Sequence, residues 1–341
     1  MTAPALTTEP ARGHNRAEQL RVGLVLLVAL ALLTPAMASL WPGSGSDVQR
    51  RGRIMEISAD TNALRRTTQL PPPNTIEAGL GAVWVTRAVG ARAGLSRLAS
   101  QPDRRDASVA LGAPTTVIRD DLAVGEDAVW VVLGDGLYRV DPSLTRPPRK
   151  VFAPARGDLL GGVAAGAGAV WVINVTRGTL SRLDPGTGSV TRVVPVGASP
   201  NGVGVSGDAV WVTSAATPQV VKVSATGERV LETVALRAPA SAIAVGARSV
   251  WVTVDTRDAV AKIDIRSSHV EWIPVGSKPT GLSVTDDAVW VANSGSNTVS
   301  RIDPRTDEVK ATIRVPERPY RIAADSQGVW VTSLGAPAPH S

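Results

Sequence analysis

Glu77, Asp121 and Arg321 each stand where equivalent positions of the chain mostly carry Gly, Ala or Ser, and Thr75, Arg119, Asp120 and Tyr320 lie close to them in sequence. Two carboxylates held together can bind a divalent cation such as Ca2+ or Mg2+, or an amine. A guanidinium next to them offers an anionic group a planar fork of donors. A second reading of the same charges is an ion-pair network beside a water-filled channel, because charges withdrawn from bulk water are normally paired. Under the first reading Glu77 and Asp121 are the metal candidates, and all seven residues are candidates for ligand binding.

Other chemistries find little material. The chain has three histidines, His14 near the start, His340 next to the end and His269 just after a turn, so no His pair for acid/base work and no multi-His metal site can be assembled. No G-x-S-x-G occurs at a strand-to-helix turn. Asn174-Val-Thr fits the glycosylation pattern.

What makes these positions equivalent is a repeat. Seven of the nine tryptophans sit between valines, at Trp84, Trp130, Trp171, Trp211, Trp251, Trp290 and Trp330, with separations of 46, 41, 40, 40, 39 and 40 residues. A period near 40 marks an architecture built from one supersecondary unit per repeat. Within a unit the apolar pattern has period two and falls into four short β-branched runs divided by Gly, Asp, Asn, Ser and Pro, which turn the chain at low cost. Asp141-Pro, Asp184-Pro-Gly-Thr-Gly and Asp303-Pro-Arg-Thr recur after the third run as tight turns.

Four antiparallel strands repeated about an axis predict an all-β, seven-bladed β-propeller of four-stranded blades over residues 53–333. Residues 53–59 and 63–70 read as the outer pair of one blade and residues 321–324 and 328–333 as its inner pair. The ring is thus closed by two strands from each terminus, which removes an open sheet edge. The small residues seven and nine before each Trp give the indole a shallow neighbour, so the tryptophans read as packing between blades.

In such a ring the entrance to each innermost strand and the loop after the second strand open on one face, where ligands bind. Residues ten and nine before each Trp line that mouth. The polar exceptions cluster there: Arg119, Asp120 and Asp121 in one blade, Thr75 and Glu77 in the blade before it, Tyr320 and Arg321 in the blade before that. The loops at 87–93 and 175–178 complete the expected face.

Ahead of the ring come a polar leader (1–21), an uncharged run from Val22 to Leu40 and a Gly/Ser spacer (41–52); a tail (334–341) follows. The uncharged run reads either as a transmembrane helix or as a signal-peptide core cut near Ala36-Met37-Ala38. Either way the propeller is expected outside the cytoplasm, anchored or secreted. With no cysteine, neither disulfides nor a lipidated Cys are available.

The net charge is +6; residues 1–38 hold three Arg and two Glu, which leaves +5 spread over the rest with no basic block. Nucleic acid is therefore not an expected partner. The expected partners are a cell-envelope protein, a peptide or a glycan, bound by a monomer.

The unit "AVWVAN-SGSNTVSRIDP" with "PRTDEV" after it resembles the YVTN-type propeller repeat in the tryptophan form of the streptogramin (virginiamycin B) lyase-like family. That resemblance implies a propeller fold. It also implies a lyase-like or lactonase-like alternative to pure binding, since those lyases open a cyclic depsipeptide by elimination with channel-face His and Glu residues and a magnesium ion. No His falls on that face here, so Glu77 and Asp121 are what remains to hold a cation.

Overall fold

In the computed structural model of the chain the described residues are 52–70, 73–89, 92–98, 106–114 and 121–333. The leader, the run from Val22 to Leu40, nearly all of the spacer, the tail, Arg119 and Asp120 lie outside them. Among the described residues no helix is long and apolar enough to cross a membrane.

Twenty-eight strands among the described residues form seven four-stranded antiparallel sheets. Blade 1 opens with Pro73–Gly79, blade 2 with Asp121–Gly125, blade 3 with Leu160–Gly166, blade 4 with Pro200–Ser206, blade 5 with Ile243–Val245 and blade 6 with Pro279–Val284. Blade 7 is the closure: its inner strands are Pro319–Ala324 and Val329–Ser333, its outer strands Gly52–Ile57 and Leu64–Leu70, in the order expected from the two chain ends. The seven opening strands contact one another in sequence around the axis, so they form the inner ring.

The tryptophans pack between blades. All seven are buried, and each falls in a cluster with residues of the following blade: Trp171 with Val203, Val210 and Val212, and Trp211 with Val250 and Val252. Directly across from six of the seven indoles sits a small inner-strand residue, as in Ala164 opposite Trp171 and Gly204 opposite Trp211. Space from the next blade enforces that smallness, since a Cβ on Gly204 would lie 2.6 Å from Val245 Cγ2. Glu77, opposite Trp84, is the one large residue in this series.

A second device was hidden in the third strands. The residue paired with the Trp there is basic in six blades: Arg97, Arg139, Arg182, Lys222, Lys262 and Arg301. Five of these cations lie 4.9–5.8 Å from the indole centroid. Most of them also donate to a turn of the next blade: Arg97 to Pro142 O, Arg182 to Ala225 O, Lys222 to Ile265 O, Lys262 to Pro304 O and Arg301 to Asn62 Oδ1. In blade 7 the position is Glu56. At Arg182, Lys222, Lys262 and Arg301 the clasp joins a cation–π contact to a charge-assisted hydrogen bond across a seam. Lys222→Met keeps the stem and removes both, so it should cost about 1–3 kcal/mol. A fall in the urea midpoint at constant m-value checks this.

The Asp-Pro turns form as expected. Asp184 accepts from Gly186 N, Thr187 N and Thr187 Oγ1, and these bonds hold its carboxyl below the usual range. Residues 87–93 depart from expectation: they are mostly strand, because Ala82–Val89 and Arg92–Leu98 stay paired up to Val89 opposite Arg92.

Candidate functional site

The mouth of the ring is shaped by a register irregularity near the start of the inner strand in blades 1, 3, 4, 6 and 7. An amide released from the ladder must find another partner. In four blades a buried Thr two residues after the Trp accepts from an amide near the start of the inner strand: Thr86 from Thr75 N, Thr213 from Gly202 N, Thr253 from Ala242 N and Thr332 from Arg321 N, at 2.9–3.2 Å. These hydroxyls fix the backbone that presents the mouth residues.

Several mouth side chains join neighbouring blades. Asn201 Nδ2 donates to Ser241 O (2.8 Å), Thr280 Oγ1 to Tyr320 O (3.0 Å), and Ser283 Oγ accepts from Ala324 N (3.0 Å). Asp121 does similar work, since its Oδ2 accepts from Val163 N of blade 3 at 3.0 Å. Arg321 stands beside Tyr320, with its guanidinium carbon 5.1 Å from the ring centroid, and both residues are half-buried. Thr75 is buried, 5% exposed, and offers no surface to a ligand.

Glu77 differs from all of these. It lies on the inner strand of blade 1, enclosed by the rest of the ring, yet its side chain is exposed. The surface it shows is therefore that of the bore. Enclosure within the ring, and then the charge of Asp121, push its carboxyl up to about 8, while Arg321 pulls it the other way. Blades 7, 1 and 2 thus bring Arg321, Glu77 and Asp121 into electrostatic range of one another. Because Glu77 is exposed, it faces the open bore rather than a packed core.

Among the described residues, those of the mouth do not reproduce the His-and-Glu set of the magnesium site that the repeat resemblance implies. Among the described residues no three His, Cys, Asp or Glu side chains gather where a metal could be held. His269, the one histidine among them, sits on the turn between the last two strands of blade 5, at the face opposite the mouth.

On the outer part of the same face, Asp158 Oδ2 accepts from Asn174 Nδ2 (3.0 Å) and Arg177 Nε (2.6 Å), and Asn174 Oδ1 accepts from Arg177 N (3.0 Å). Asn174 is 8% exposed, so the glycosylation motif is folded away into this cluster.

No protein-family model matches the chain, and no curated protein matches it in sequence. Solved structures do share its fold. Virginiamycin B lyase from Staphylococcus aureus aligns with a TM-score of 0.63 at 13% identity, over 83% of this chain and 99% of that one. A catalytically inactive variant of that lyase with quinupristin aligns equally well at 14% identity, with the same coverage. Hydrazine synthase of Kuenenia stuttgartiensis gives 0.60 at 13% identity, over 76% and 92%. At these identities the likeness is one of fold, and it agrees with the propeller implied by the repeat.

Proposed function

We propose that the chain is an exported propeller, anchored or secreted through its first forty residues, that binds a peptide segment of a cell-envelope partner at the mouth of its bore. The observation that carries this reading is the exposed Glu77 carboxyl, raised to about 8 beside Asp121 and within reach of Arg321. Such a carboxyl is costly to ionise where it stands, because of its enclosure and then of the Asp121 charge, and an ammonium group placed between Glu77 and Asp121 offsets that cost. Arg321 then meets a carboxylate or carbonyl of the same ligand. The fold neighbour that holds quinupristin supports ligand binding by this architecture. Lyase chemistry on the pattern of the resemblance has no histidine to work with among the described residues of the mouth.

The test is thermal unfolding of the chain at pH 7 with short peptides whose amino termini are free or acetylated, since a ligand of the folded state raises the midpoint. Free-amine peptides should raise it in the native chain and fail to do so in Glu77→Gln, whereas Ca2+ and Mg2+ should leave it unchanged. Equal shifts for free and acetylated peptides would overturn the reading.

A further inference from the structure

At the seam between blades 2 and 3 the clasp lacks its hydrogen bond, on the face opposite the mouth. Arg139 keeps the register of the other third-strand cations, opposite Trp130 with its guanidinium carbon 5.8 Å above the indole. Unlike five of its counterparts it makes no bond to the next blade, and its Nε is buried without a partner. The following turn is longer than usual: residues 141–148 join the last two strands of blade 2, against 184–189 in blade 3 and 303–308 in blade 6. The extra length contains Arg146.

A cavity of about 360 Å³ opens at this seam, lined by Arg139, Asp141, Arg146, Pro147, Arg149 and Gly186. Arg149 bridges the two blades through Nη2 to Gly186 O at 3.1 Å. The one carboxylate in the wall, Asp141, already accepts from Ser143 N, Ser143 Oγ and Thr145 Oγ1. Three arginines thus line the cavity with one carboxylate that already accepts three local hydrogen bonds.

We propose that this cavity is a binding site for a tetrahedral oxyanion, a phosphate or sulfate carried free or as an ester. Guanidinium forks match the oxygens of such a group two at a time, and they are less strongly hydrated than ammonium groups, so they give up water for it readily. The volume exceeds that of a bare anion and falls in the range of small-molecule sites, roughly 300–1,000 Å³, which leaves room for the esterified part.

The experiment titrates the full chain with inorganic phosphate, sulfate and glycerol phosphate at constant ionic strength, following the thermal midpoint. Arg146→Gln is the informative variant, because Arg146 is exposed and holds no contact that the fold needs; Arg149→Gln serves as the second. The midpoint should rise with the oxyanions in the native chain, and the rise should be largely lost in both variants and kept in Glu77→Gln. A larger shift with glycerol phosphate would identify an ester as the ligand, and equal shifts a free anion. No rise in the native chain, or the same rise in Arg146→Gln, would overturn the proposal.

Discussion

Replacing Trp211 with Ala is expected to destabilise the propeller by about 3–5 kcal/mol, the usual cost of truncating a large buried aromatic side chain. Trp211 is fully buried, its Nε1 donates to Ser206 Oγ at 2.9 Å, and Lys222 caps the other side of the ring at 4.9 Å. The truncation therefore opens a void at the seam with blade 5 and strips the clasp of its aromatic face. For a domain of this size the midpoint should fall by roughly 10 °C. Trp272 is the control. It lies half-buried on an outer strand between Arg237 and Arg257, at 5.2 and 5.9 Å. Removing it should cost less than about 2 kcal/mol. Calorimetry on the two variants separates them, and similar losses would contradict the assignment of the repeated indoles to the seams.

Glu77→Gln is expected to change how stability depends on pH. In the unfolded chain Glu77 gives up its proton near 4.5, and in the folded chain it keeps it until about 8. Between those values the native state holds one more proton than the unfolded state, so stability falls as pH rises through the window and levels off above it. Gln cannot titrate. The variant should match the native chain at pH 4, gain on it steadily from pH 5 to 8, and stay more stable beyond. Midpoints measured from pH 4 to 9 check the sign as well as the size. A variant that is less stable at pH 9 would mean that the Glu77 carboxylate is held by partners that favour its charge.

The fold was legible because its signals are local and repeated. A valine-flanked Trp every forty residues, period-two runs and Asp-Pro turns name the unit, and incomplete units at the two ends name the closure. The clasp was less legible although its signal is present: a basic residue follows the Trp by eleven positions at Arg182, Lys222, Lys262 and Arg301. Only the cross-strand register turns that spacing into a contact over the indole. The mouth cluster was found by asking which positions break the repeat, and that question returned Glu77. It also returned Thr75, whose burial depends on neighbours the repeat does not describe, and Asp121, whose bond to Val163 N is a contact between blades. Residues 87–93 follow the second strand of their blade and so suggest a loop, whereas Ala82–Val89 and Arg92–Leu98 stay paired up to Val89 opposite Arg92. Arg146 was passed over because a single inserted arginine has no counterpart to be compared with.

The central claim is that Glu77 is the poised group of a site that takes a cation. Isothermal titration of the chain at pH 7 with a free-amine peptide, repeated in two buffers of different ionisation enthalpy, measures the protons that move on binding. Binding of an ammonium must ionise a carboxyl whose pKa is about 8. Close to one proton should therefore be released per peptide, and affinity should rise by about tenfold per pH unit below that value. Binding without proton release, or with the same affinity in Glu77→Gln, would contradict it.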